Sequence, residues 1–147
     1  MFLTTTALRD VTVRELVPEI EAWFLANRGG VLVDEGRLAL ARRDLERALE
    51  LGAGGMDPRF WRSVHLNLTS IHLDRGDAGR AAHHLEEAWK HADPDKPKPT
   101  ALLYYRARVD LARGRPAEAL QSLETALGQD PAPDRVWDLE YQRGQAE

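Results

Sequence analysis

Apolar residues recur along this chain at three- and four-residue intervals, the spacing of one helix face. The pattern returns three times around a glycine. Val31 and Val33, Ile71 and Leu73, and Val109 and Leu111 stand at matching offsets before Gly36, Gly76 and Gly114. Each glycine is followed by an alanine five residues on (Ala41, Ala81, Ala119), a leucine nine on (Leu45, Leu85, Leu123) and a second alanine twelve on (Ala48, Ala88, Ala126). The glycines are 40 and 38 residues apart. A fixed period in this range marks a repeat array.

Each copy predicts a helix A, a turn at the glycine and a helix B. The A helices are expected roughly over Ile20–Glu35, Arg59–Arg75 and Thr100–Arg113. Glycine ends them because it tolerates the left-handed conformation of a helix stop. Asp77 reads as an N-cap of the second helix B, and Pro116 suits the first turn of the third. Leu45, Leu85 and Leu123, with Leu49, Trp89 and Leu127 four residues on, form the expected buried stripe of helix B. Gly29, Thr69 and Ala107, each seven residues before the turn glycine, are small enough to let the two helices of a pair approach closely. Glu46, Glu86 and Glu124 follow the leucines and read as a solvated face.

Two linkers punctuate the array: Gly52 through Pro58, and Asp93 through Pro99 with its three prolines. Pro131 and Pro133 end the third copy. The expected organisation is an N-terminal segment, 1–19, then a repeat domain over 20–147. The repeats run over about 20–53, 59–93 and 100–131, with a half repeat at 135–147. The half repeat reads equally as a capping helix docked by Val136, Leu139 and Trp137, or as the start of a further copy. Thr12 and Glu15 have the spacing of a capping box, which makes the N-terminal segment helical from about residue 12. Pro18 should then kink that helix or start a new one. Gly29-Gly30 leaves a second alternative, a break there with one long helix from Val31 to Leu51.

These strings resemble the tetratricopeptide repeat, a helix–turn–helix of about 34 residues. The turn glycine, the alanine of helix B, its bulky partner and the second alanine correspond in all three copies, and Pro131 matches the closing proline. Ala53 and Asp93 stand in that place in the other copies. Leu32, His72 and Asp110 replace the large aromatic of helix A. The resemblance covers about residues 20 to 147 and describes a divergent branch with longer loops. It implies an all-α fold: a right-handed α-α superhelix of three helix-turn-helix repeats plus a C-terminal capping or half-repeat helix. It also implies that the A helices line a concave groove that takes a partner's peptide or helix.

On that geometry the groove candidates are Asn27, Asn67, Ser70, Asp74, Tyr104, Tyr105, Arg108 and Tyr141, with Asp34 and Gln142 beside them. Amides can bind a peptide backbone, tyrosines supply rigid contact area and arginine can pair with a carboxylate. One branch of the family clamps a C-terminal carboxylate with Lys, Arg and Asn. Only Asn67 falls on such a site here, and Ala26 and Gly30 stand where a cation and an amide are needed, which excludes that ligand class.

Composition narrows the alternatives. The 147 residues are 43% hydrophobic and 30% charged, as expected of a folded soluble domain. There is no cysteine, hence no disulfide or thiolate metal site, and the lean is to the cytoplasm. The first ten residues lack the basic start and apolar core of a secretory signal. No run approaches the ~18 apolar residues of a membrane span. A net charge of −4 with interleaved signs argues against nucleic acid.

Catalysis finds little support. Ser63, Ser70 and Ser122 sit in no glycine-framed elbow, and Gly52 to Gly55 lacks the Lys and Ser/Thr of a phosphate loop. His84, Glu87 and His91 lie on one helical stripe and could offer zinc three ligands. Packing or dipole roles account for these histidines more simply, and His65 and His72 read as packing within the repeat stack. No catalytic residue, metal or cofactor is therefore expected. The leading expectation is a protein-binding adaptor or scaffold. The alternatives are a secretion-type chaperone, the interaction domain of a larger regulator, and, further off, a helical metal protein or enzyme. Self-association through an exposed end helix remains open.

Overall fold

A computed structural model describes residues 2–52, 55–129 and 136–147, with side chains for 17–52, 55–129 and 140–147. All the described elements are α-helices: α1 (Phe2–Asp34), α2 (Leu38–Leu51), α3 (Pro58–Asp74), α4 (Ala78–Lys90), α5 (Thr100–Ala112), α6 (Pro116–Gly128) and α7 (Val136–Ala146). Pro131 and Pro133 lie outside the described residues, as do Ala53 and the side chains of Thr12, Glu15, Val136, Trp137 and Leu139.

The three hairpin turns are near copies. Gly36, Gly76 and Gly114 have φ of 76°, 74° and 73°. In each turn the glycine N–H donates to the carbonyl three residues back. The next N–H (Arg37, Asp77, Arg115) donates to the carbonyl five residues back, at 2.8–2.9 Å. This paired helix stop needs a left-handed residue, which glycine adopts without a side-chain clash. Helix B restarts at once. Asp77 accepts from the Arg80 N–H at 3.0 Å, and Pro116 occupies the first turn of α6. In the first linker Asp57 caps α3 by accepting from the Arg59 N–H, with Pro58 in the first turn.

Within each pair the helices meet through small residues. Thr69 and Ala107 on the A helices, and Ala41, Ala81 and Ala119 on the B helices, are fully buried. At Gly29 even a methyl group is too large, because a Cβ there would lie 2.7 Å from Leu45 Cγ and Cδ2. The glycine pair therefore does not break the chain as the sequence allowed. α1 runs unbroken from Phe2 through Pro18 and Gly29-Gly30. Pro18 is accommodated inside the helix although it removes a hydrogen bond and crowds the preceding turn, and Gly29 serves the contact with α2. Neither a start at Thr12 nor a break at the glycines is seen.

Pairs then stack. α1 touches α3, α3 touches α5, and α5 touches α7, so the A helices lie side by side. Each B helix also touches the following A helix, but among the described residues no two B helices touch. A closely spaced A layer under a splayed B layer curves the array with the A helices inside. Stacking also decides which matching positions are buried. Ile71 and Val109 are 0% and 3% exposed and belong to core clusters that include the preceding helix B. Val31, at the same offset, is 56% exposed because no described helix packs on that side. α7 takes the place of a fourth helix A against α5 and α6, with Ala146 in their core.

Two substitutions separate close packing from helix propensity. Gly29→Ala should lower the melting temperature despite the better helix propensity of alanine, because Leu45 must shift inside a filled core. Gly144→Ala, where a Cβ would meet nothing within 4 Å, should leave it unchanged or raise it. Thermal denaturation followed by circular dichroism checks both.

Candidate functional site

The inner face is assembled from one stripe of each A helix. On α3 the stripe is Asn67, Ser70 and Asp74, at three- and four-residue spacing. On α5 it is Tyr104, Tyr105 and Arg108. The contact between α3 and α5 brings the two stripes together. Arg108 Nη2 lies 3.5 Å from Asp74 Oδ1, and the Arg108 guanidinium carbon stands 5.7 Å from the ring centroids of both Tyr104 and Tyr105. The tyrosine rings meet edge to face at 5.2 Å. Asn67 lies against α1, with its amide nitrogen 3.4 Å from where a Cβ of Gly30 would stand. Gly30 thus admits the amide between the first two A helices.

The other groove candidates are placed differently. Ser70 is buried in the wall of this face. Asn27 on α1 and Tyr141 on α7 are exposed, and no described contact joins them to the cluster. Asp34 is exposed and Gln142 half-buried. Arg108, a candidate to pair with a ligand carboxylate, is held by Asp74 of the preceding repeat, and its side chain is only 24% exposed. The tyrosines are half-buried, Tyr105 against the α4 core and Tyr104 against the α6 core. The face is therefore a preset amide, ion-pair and aromatic surface.

Between helices A and B lies a set of polar groups, of which the sequence placed only His65 and His72 within the repeat stack. The residue before each buried leucine of helix B is polar: Asp44, His84 and Ser122. Asp44 and Ser122 are buried and His84 half-buried. In the first pair Arg28 grips Asp44 with two bonds, Nε to Oδ2 at 2.6 Å and Nη2 to Oδ1 at 2.8 Å. These bonds hold the Asp44 carboxyl below its usual range. In the second pair the His84 ring stacks parallel on His72 at 5.3 Å, and His84 Nδ1 lies 3.1 Å from His65 Nδ1. One ring of that Nδ1 pair must donate and the other accept, so the accepting ring must be neutral with its proton on Nε2. The available signal was a polar residue at a constant offset from the leucine. His83 is exposed and His91, at the end of α4, stacks on Trp61 at 5.8 Å. Among the described residues no group of three or more His, Cys, Asp or Glu side chains could hold a metal ion.

The described architecture is that of a helical-hairpin repeat protein with its A helices side by side along one face. The family model described as tetratricopeptide repeat matches residues 72–142, a span that contains the second and third turn glycines. Over that span the chain is similar to the tetratricopeptide-repeat family. Comparison with curated proteins and with solved structures finds no match.

The histidine cluster makes stability depend on pH. Burial pushes His65 and His84 down from 6.5 to about 4. Nearby Glu87 opposes this at His65, whereas His65, His72 and His83 reinforce it at His84. Burial also lowers His72. The unfolded chain takes up these protons near pH 6.5 and the folded chain only near 4. Stability is therefore full above about 6.5 and falls as pH drops towards 4. Melting temperatures across pH 8 to 4 should show this fall, and His84→Gln should flatten it.

Proposed function

We propose that this chain is a non-catalytic interaction module whose inner A-helix face binds a peptide or helix of a partner protein. The observation that carries this is the continuous line of A helices, with Asn67, Asp74, Tyr104, Tyr105 and Arg108 presented from successive repeats. An amide held between α1 and α3 can both donate to and accept from a peptide backbone. Paired tyrosines present a rigid apolar surface at low entropic cost. The Asp74–Arg108 pair gives a ligand one acceptor and one donor of opposite charge. Asn27 and Tyr141 extend the same line at its two ends, and Ser70 shapes its wall. The family's general role in protein–protein contact agrees with this reading.

An adaptor or scaffold role follows from binding alone. A secretion-type chaperone, or one domain of a larger regulator, would use the same face. None of the described helices is long and apolar enough to cross a membrane. With a cysteine-free composition, this favours a cytoplasmic setting in our reading.

The test begins with a partner captured from the native host and repeated as a purified binary complex. Asn67→Ala and Arg108→Ala should each weaken its affinity by about 1–3 kcal/mol in calorimetric titration. Helical content should be unchanged, because the half-exposed Asp74–Arg108 pair contributes little to folding. Unchanged affinity in both variants would overturn the inner-face assignment.

A further inference from the structure

The opposite side of α5 carries a second recess, a cleft of about 490 Å³ in the angle between α4 and α5. Arg106, Asp110 and Arg113 line it at helical spacing. Tyr104 and Arg108 are two residues out of phase with Arg106 and Asp110, which turns them about 200° away around the helix. The cleft is therefore separate from the inner face. Its floor is apolar, formed by the buried Leu85 and Val109 with Trp89 as a wall.

The rim is cationic. Arg106 stands over the Trp89 ring at 5.0 Å, and Lys98 reaches the same ring at 5.7 Å. Arg113 and Arg115 complete the rim on the α5–α6 turn. Lys90 is already neutralised by Glu87 at 2.7 Å. Arg106, Arg113 and Arg115 form no ion pair with a described carboxylate, although Arg28, Arg47, Arg59 and Arg108 elsewhere all do. Two carboxylates, Glu86 and Asp110, also line the cleft. Burial pushes the Asp110 carboxyl above its usual range despite Arg106 and Arg115 nearby, and the three arginines outnumber the two carboxylates.

We propose that this cleft binds an acidic peptide segment of a partner protein. Aspartate or glutamate carboxylates would seat on Arg106, Arg113 and Arg115, with a neighbouring apolar side chain against Trp89, Leu85 and Val109. Charge complementarity selects the occupant. Three guanidinium groups that form no ion pair with a described carboxylate converge on one recess of a chain whose net charge is −4. Guanidinium groups pair strongly and with defined geometry with carboxylates. The apolar floor and the Glu86 carboxylate distinguish a peptide from a dense polyanion. A phosphodiester chain has no aliphatic side chain to fill the floor and is repelled by Glu86 and by the overall charge.

The probe is a fluorescein-labelled synthetic peptide of about twelve residues, rich in Asp, Glu and Leu. Controls are the same peptide with Gln and Asn at the acidic positions, and an oligothymidine of similar length. The acidic peptide should shift the indole N–H resonance of Trp89. Its affinity should fall about tenfold or more with Arg113→Glu or Arg115→Glu, and likewise on raising salt from about 0.05 to 0.5 M. Both arginines are exposed, and an unchanged melting temperature verifies that the variants remain folded. Arg108→Ala and Asn67→Ala should leave this binding intact. Three results overturn the proposal: no shift at Trp89, undiminished binding by the Arg→Glu variants, or tighter binding of oligothymidine or the neutral peptide. Shifts confined to Asn67, Tyr104 and Arg108 would also overturn it, while leaving the inner-face reading in place.

Discussion

The distance at which helix B can lie against helix A sets the rest of this molecule. In the first pair Gly29 lets Leu45 occupy space that any Cβ would fill, and in the other two Thr69 and Ala107 are buried without remainder. Alanines at matching positions of helix B reciprocate. Close approach makes each hairpin a dense unit. Because protein interiors are packed to crystal-like density, a single methyl group at such a point is felt across the pair. The glycine turns then return the chain with nearly identical geometry each time. Stacking follows because each hairpin leaves apolar positions, Ile71 and Val109 among them, that only the preceding pair can cover. Val31 shows the same position where that cover is lacking.

The polar groups inside the pairs are more individual than the apolar ones. At one offset of helix B the three repeats carry an aspartate bound by arginine, a histidine stacked among histidines, and a serine. A buried polar group costs free energy unless it is hydrogen-bonded, and Asp44 and His84 each meet their own partners on helix A, Arg28 in one pair and His65 with His72 in the other. This makes the repeats non-interchangeable although their turns and leucines are alike. It also places the acid-sensitive element in the second pair, at the centre of the stack.

Curvature gives the array two chemically different faces. The inner layer of touching A helices carries amide, tyrosine and a closed Asp74–Arg108 pair, so its charge is already satisfied. The outer angle between α4 and α5 carries guanidinium groups that form no ion pair with a described carboxylate. One helix, α5, serves both surfaces because residues two apart point nearly opposite ways.

Much of the fold was legible in the residues alone, because its determinants are local. A left-handed turn glycine, an N-cap such as Asp77, and small and large residues at fixed helical offsets act over one or two turns of chain. The three turns and the burial of Ala41, Ala81 and Ala119 follow from that logic. Gly29-Gly30 shows its limit, since the same residues that weaken an isolated helix are required where another helix crosses closely, and only the placement of Leu45 decides between the two. The site was legible to a smaller degree. Helical spacing put Asn67, Asp74, Tyr104 and Arg108 on one face. It could not show that Arg108 is bound by Asp74, that Ser70 is buried, or that Asn27 and Tyr141 make no described contact with the cluster. Nor could it gather Arg106, Arg113 and Arg115 around Trp89. These outcomes depend on how one hairpin sits on the next, and that arrangement is set by the summed packing of side chains far apart in the chain.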